Sequence, residues 1–406
     1  MEIPSIQGFG TERLLVPREQ AVAVESRQRT LRIGVPKEVS SEERRVALAP
    51  YGAGLLAAAG HEVAVERGAG AEAHFSDTEY AEAGVAVVDS AEEVYARSEL
   101  VVKVFPPSEA ELDLIQEGQI LLSALHLGGT TPEFLRRLMA QRVTGIGYEF
   151  IADPDGSFPI VRMMHEISGS MAVQVAARML ESGEGGRGVM LGGISGVPPA
   201  TVVILGAGVV GEWAARTALG YGAQVVVLDT DLSALRSIEH YLGRRVTTAV
   251  ANLPYVRQAV GRADVVIGAM MRGGHRSPVL VTREMVAGMR TGSVIVDLVT
   301  DQGGCIETAR PTTLSKPSYV EEGVVHYCVP NMPSHAARTA TFALTNVLVP
   351  YLLDIGEAGS INDALWTNTS LRAGTYVYRR HLTKKSLAAL FGMPHRDIEL
   401  LIASGL

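Results

Sequence analysis

The chemistry-bearing residues of this chain fall at the ends of apolar runs. Gly206-Ala207-Gly208-Val209-Val210-Gly211 follows the β-branched run TVVIL and opens a helical pattern. In a G-x-G-x-x-G turn the first glycine permits the tight turn. The second lets backbone approach a pyrophosphate, and the third lets helix and strand pack closely. The helix N-terminus adds free N–H groups and positive potential. Asp229 ends the next run, QVVVLD, at the spacing of roughly 20 residues where an acid meets the adenosine ribose. An acid there accepts from ribose hydroxyls and repels a 2′-phosphate, so NAD is expected over NADP. The plainer reading is a tight turn followed by a helix cap.

Three further polar residues close apolar runs. Lys103 ends ELVVK, His126 ends QILLSALH, and Asp301 follows SVIVDLVT. Ligands of open α/β sheets bind outside the carboxyl ends of strands. A lysine there supplies positive charge, and a histidine moves protons near neutral pH. Taken singly, Lys103 reads as a charge at a sheet edge, His126 as a core histidine and Asp301 as a turn cap. Arg44 and Arg45 lie side by side in SSEERRVALAP. One guanidinium of the two could hold a carboxylate, and residue type alone does not choose between them. His165 and Glu166 stand before an expected helix from Ile167 and lack the second histidine of a zinc-protease motif, so no metal is expected.

These residues need strands and helices to position them. Strand patterns at 31–36, 100–104 and 120–125 alternate with helical patterns at 50–60, 91–97, 109–115 and 131–141. Six more strands, beginning near Thr201, Gln224, Val246, Asp264, Ser293 and Val324, repeat the rhythm. Alternation of this kind predicts parallel sheets with crossover helices. The expected fold is α/β, with two Rossmann-like doubly wound parallel-sheet domains around an interdomain cleft. Residues 1–30 read as an N-terminal extension. Residues 31–165 with 335–406 form a substrate lobe, and 166–334 a nucleotide lobe. Two long helical patterns, 167–181 and 336–356, bracket the second.

Composition narrows the function. The 43 glycines and 5% aromatic content suit strand-to-helix turns better than an antiparallel sandwich, and a net charge of −8 disfavours nucleic acid. Cys305 and Cys328 make no zinc or disulfide pattern, which fits a reducing cytosol. No secretory leader is visible at the start. The uncharged stretch Gly188 to Gly211 holds Pro198-Pro199 and the glycine turn, so it is not expected to be a membrane span.

Together GVPKE, RRVALAP, LVVKVFPP, ALHLGG, GGRGVMLGG, GVPPATVVILGAGVVG, DQGGC and NMPSHAARTATFALTN resemble bacterial alanine dehydrogenase. That family also includes the NAD-binding part of proton-pumping transhydrogenase. The resemblance covers about residues 31–370. It implies that L-alanine, NAD⁺ and water give pyruvate, ammonium and NADH in a cytoplasmic homo-oligomer, hexamer or dimer, without membrane or nucleic acid. It implies that Arg45 holds the substrate carboxylate, Lys103 polarises the carbonyl or imine, and His126 is the acid/base. Asp301 would assist the water and ammonia steps, and Asn331 would flank nicotinamide and substrate. Met270, Met271, Leu298, Arg310 and Met332 would line the cofactor cleft.

Three features depart from the family pattern. His165 replaces a serine, Ala124 stands where an aromatic is common, and residues 1–30 extend the chain. A saccharopine- or opine-type dehydrogenase would need a larger second-substrate site. A transhydrogenase-like subunit would lack the substrate residues. A silent NAD sensor would bind without turnover.

Overall fold

Short β-branched and apolar runs, fully buried in the central strands, pair into two sheets. The computed structural model describes residues 29–125, 129–270, 278–300 and 303–404. The first sheet contains β1 (Arg32–Val35), β2 (Glu62–Glu66), β3 (Ala86–Val88), β4 (Leu100–Val102), β5 (Ile120–Ser123) and β6 (Thr144–Gly147). The second contains β7 (Thr201–Leu205), β8 (Gln224–Asp229), β9 (Thr247–Val250), β10 (Val265–Gly268), β11 (Val294–Asp297), β12 (Ser318–Glu321) and β13 (Val324–Tyr327). The chain then returns to the first sheet as β14 (Thr375–Tyr378) and β15 (His381–Leu382).

The strand orders are β15-β14-β6-β5-β4-β1-β2-β3 and β12-β13-β11-β10-β7-β8-β9. Both have a parallel core in the order of a dinucleotide-binding fold. Its order reverses between β1 and β4 in the first sheet and between β7 and β10 in the second. A crevice opens beyond the strand ends at each reversal. The sheets are mixed rather than purely parallel, because β14, β15 and β12 add antiparallel edges. Expected strands and helices fall close to their places. The short strands β3, β6, β12, β14 and β15 carry too little local pattern to be read alone; hairpins make β12 and β15 strands, and β6 and β14 pair across the chain.

The long helix Pro159–Met179 begins with proline at its first turn, where the missing N–H costs nothing. It starts well before Ile167. Met164 and His165 therefore sit on the helix, not ahead of it, and this corrects the sequence reading. Helix Ala337–Glu357 is long and apolar enough to cross a membrane by length and composition. Its Leu344, Leu348, Leu352 and Ile355 pack into the first sheet's core, which accounts for that apolarity. Residues 188–211, the stretch judged not to be a span, form a loop, β7 and the glycine turn.

The helix Pro159–Met179 lies directly on the dinucleotide helix Val209–Gly220. A Cβ on Gly169 would sit 2.4 Å from the Val210 carbonyl oxygen. Gly169→Ala should force the two helices apart and cost about 1–3 kcal/mol, the usual range for overpacking. A lowered guanidinium unfolding midpoint checks this, and an unchanged midpoint contradicts it.

Candidate active site

The glycine turn occupies the crevice of the second sheet. Gly206 has φ +114°, a conformation closed to side-chain-bearing residues, and a Cβ there would meet the Ala269 carbonyl oxygen at 2.7 Å. A Cβ on Gly211 would lie 1.9 Å from the Gly206 carbonyl oxygen. Gly208 faces open space and heads helix Val209–Gly220 with no side-chain cap. The first N–H groups of that helix, including those of Val209 and Val210, are left for a ligand. Asp229 accepts the Ala207 N–H at 2.6 Å and the Asp231 N–H at 2.9 Å, which fixes its carboxylate beside the turn. A cavity of about 400 Å³ is lined by Gly206, Gly208, Asp229, Met270, Pro278 and Leu280. Open N–H groups, a backbone surface free of Cβ atoms and an acid at the ribose position fit a nicotinamide dinucleotide.

The crevice of the first sheet holds a smaller cavity, of about 160 Å³. Its walls are mostly apolar: Phe105, Ala124, Ile160, Val161, Met164 and Leu344. Its polar lining is Arg45, Tyr148, Glu149 and His165. The Tyr148 hydroxyl donates to the Lys103 carbonyl at 2.6 Å. Burial raises its pKa well above the usual phenol value, so it does not exchange protons near neutrality. Both Glu149 oxygens accept the Leu125 N–H, at 3.0 and 2.9 Å. This fixes the exit of β5 immediately before position 126.

The two neighbouring arginines separate cleanly. Arg44 is exposed and its N–H donates to Ser334, whereas Arg45 is buried and lines the cavity. The Arg45 Nε donates to Glu43 at 2.7 Å, and its Nη2 donates to Glu43 at 2.5 Å and to Asn331 Oδ1 at 3.0 Å. Nη1 meets only the Met164 sulfur, at 3.1 Å, a weak acceptor. One fork of the guanidinium is thus already taken, and Nη1 remains for a ligand. Asn331 in turn donates to the Glu42 carbonyl at 2.9 Å and to Glu43 at 3.0 Å. Asn331 follows β13, so this cluster joins the two lobes. Burial pushes the Glu43 carboxyl up, but the Arg45 charge and hydrogen bonds from Arg45 and Asn331 outweigh it and hold the pKa below its ordinary value. The pair's contribution is present above the ordinary glutamate range and is lost as pH falls through the lowered value.

Lys103 is not at this cavity. Its side chain is fully buried, with Nζ 2.7 Å from Glu111 and 3.2 Å from Glu38. Burial pushes the ammonium down, but the charges of Glu38 and Glu111 outweigh it and raise its pKa. Glu111 is also the last member of a capping box with Ser108, and Glu38 accepts the Val104 N–H at 2.7 Å. The triad ties the loop after β1 to the loop after β4. In this arrangement both partners of the lysine are carboxylates of its own lobe, and Phe105, two residues on, lines the cavity wall.

The remaining expectations divide. Met270 lines the dinucleotide cavity. The Leu298 N–H bonds to Gly268 at the ends of β10 and β11, and Met332 is fully buried in the second sheet's core. Arg310 stacks on Tyr319 at 3.6 Å and pairs with Glu321 at 2.5 Å. His126, Met271 and Asp301 lie outside the described residues. Among the described residues no group of three His, Cys, Asp or Glu side chains is placed to hold a metal. Sequence reasoning missed Glu38, Glu43 and Glu111. Their signal was three acids beside the crevice loops, and burial is what gives them meaning.

Lys103→Met should leave two carboxylates buried without a cation and destabilise the protein by about 3–5 kcal/mol. Because the lysine pKa is raised, its contribution is fully present below lysine's ordinary value and fades as pH rises through the raised one. Denaturant unfolding at neutral pH checks this. An unfolding curve matching the wild type would contradict it.

Two family models match the chain: the alanine dehydrogenase/PNT N-terminal domain over residues 34–168 and the C-terminal domain over residues 172–385. An alanine dehydrogenase of Methanococcus maripaludis is 42% identical over 368 residues, covering 90% of this chain and 98% of its own. One from Geobacillus stearothermophilus is 41% identical, covering 92% and 100%. A solved L-alanine dehydrogenase superposes with a TM-score of 0.85 at 44% identity, covering 89% of this chain and 99% of its own. A transhydrogenase from Sinorhizobium meliloti gives 0.74 at 25% identity, covering 87% and 99%. With two nucleotide-type crevices, a buried arginine lining the first of them and these matches over most of its length, the chain belongs to the alanine dehydrogenase/PNT family.

Proposed function

We propose that the protein catalyses the reversible NAD-dependent oxidative deamination of L-alanine to pyruvate and ammonium. The observation that carries this is the Arg45 cluster: a buried guanidinium, locked by Glu43 and Asn331, with Nη1 turned to an otherwise apolar cavity. A small amino acid offers what this cavity lacks, one carboxylate for the cation and an aliphatic body for the walls. A buried charged hydrogen bond to that carboxylate fixes the orientation of Cα. The nucleotide crevice would hold NAD through the glycine turn and Asp229, and the bound nicotinamide would accept the Cα hydride. Asp229 favours NAD over NADP because a 2′-phosphate would meet its carboxylate.

Once Cα has lost hydride, water must add to the carbon and ammonia must leave, so proton acceptors are needed beside it. The reading gives these roles to His126 and Asp301. Glu149 anchors the backbone next to the first through Leu125. The buried Thr300 hydroxyl, donating to the Cys328 carbonyl at 3.4 Å, precedes the second. Closure of the lobes over the substrate would exclude bulk water. Domain limits of 31–165 with 335–406 and 166–334, and a cytoplasmic homo-oligomer, belong to the same reading. Exposed Met190, Ile194 and Val197 support a surface for self-association.

NADH formation from L-alanine at alkaline pH tests the proposal directly, and no turnover would end it. NAD⁺ should be preferred to NADP⁺, and Asp229→Ala should weaken that preference; equal affinities in the unmutated protein contradict the assignment. Arg45→Lys should raise KM for pyruvate by roughly tenfold to a hundredfold, the worth of one charged hydrogen bond. A larger effect from Arg44→Lys would reverse the choice between the arginines.

A further inference from the structure

We propose that the first sheet carries a binding site for a small organic phosphate, at the opposite end of β6 from the substrate cavity. A cavity of about 450 Å³ lies there, within the range of small-molecule sites. Thr144, the first residue of β6, lines it. Tyr148 and Glu149, just past the other end of the strand, line the substrate cavity instead. The two sites are therefore separate, and this inference goes beyond the deamination reading without resting on it.

Four basic residues line this cavity: Arg142, Arg379, Arg380 and His381. Its described lining holds no acid. The acids close by are engaged. Glu117 pairs with Arg142 at 3.2 Å. Asp397 accepts the Glu399 N–H at 2.8 Å at the head of helix Ile398–Ala403, and Glu399 pairs with Arg372 at 3.4 Å. Among the described residues no carboxylate pairs with Arg380. The Arg396 N–H donates to the Leu382 carbonyl at 2.9 Å, which brings one more arginine alongside β15.

Two of these arginines sit where the backbone favours glycine. Arg142 follows helix Pro132–Ala140 with φ +54°, the left-handed position beyond a helix end that glycine usually fills. Arg379 opens the two-residue turn between β14 and β15, also with φ +54°. Such turns ordinarily take Gly, Asn or Asp there. At both places a guanidinium stands against a conformational cost, which points to a function for the side chain. Several arginines converging on one cavity suit phosphate. Their forks match its oxygens, and a dianion neutralises more of the cluster than one carboxylate does. Ile361, Leu401 and Tyr378 supply an apolar wall for the carbon body of an ester.

Isothermal titration calorimetry at constant ionic strength tests the site, with saturating NADH present to fill the dinucleotide crevice. The probes are phenyl phosphate, inorganic phosphate and citrate. Phenyl phosphate should bind the wild type, and more tightly than inorganic phosphate. Arg142→Gly, Arg379→Gly and Arg380→Gln should each weaken it by roughly tenfold to a hundredfold, the worth of a charged hydrogen bond. Glycine suits the left-handed backbone, so both glycine variants should unfold at or above the wild-type midpoint. Arg380 is exposed on the turn, and its variant reads binding with the fold undisturbed. No binding of phenyl phosphate to the wild type, binding unaffected by the three substitutions, or tighter binding of citrate would each overturn the inference. The result is independent of whether the protein oxidises alanine.

Discussion

A guanidinium buried between two lobes must be paired, and the pairing of Arg45 organises the site. Glu43 neutralises it from the same loop, and Asn331 reaches it from the other lobe. Burying such a group without partners would cost several kcal/mol. The loop after β1 and the turn after β13 are therefore held together by one cluster. The same pairing decides what the arginine can do. Nε and Nη2 face inward to Glu43, so Nη1 alone is presented to the cavity.

A second buried charge supports this arrangement from behind. The Glu38–Lys103–Glu111 triad fixes the loops that follow β1 and β4, the two strands at which the first sheet reverses its order. Fixing those loops sets the positions of Phe105 and Arg45 on either side of the cavity. Lys103 is the cation that joins those two loops. In the second sheet the equivalent reversal carries the glycine turn, and there backbone clearance does what ion pairs do in the first. The long helix Pro159–Met179 spans both, carrying Met164 and His165 at one end and resting Gly169 on the dinucleotide helix.

Much of this was legible in the residues. Strong β-branched runs with glycine turns placed β7, β8 and the dinucleotide motif, because that information is local. Asp229 was found at a strand end, at the spacing of a ribose-binding acid, whereas Arg45 was chosen over Arg44, and Asn331 named, only through the family resemblance. What the residues leave unread depends on side-chain direction. Lys103 ends a strand, and nothing local reveals that Glu38 and Glu111 are its partners. Arg310 follows the DQGGC segment, and its partners Tyr319 and Glu321 come from the edge strand. Strands such as β6 (TGIG) and β14 (TYVY) owe their state to each other across more than half the chain, which no window of sequence reports. His165 stood out as an odd residue, and only the earlier helix start brought it to the cavity.

The central claim is that one end of Arg45, aimed by Glu43 and Asn331, receives the substrate carboxylate. A crystal structure of the ternary complex with NADH and pyruvate tests it most directly. The account predicts a carboxylate oxygen roughly 2.7–2.9 Å from Arg45 Nη1, the distance of a charge-assisted hydrogen bond. Pyruvate bound away from Arg45 would contradict it.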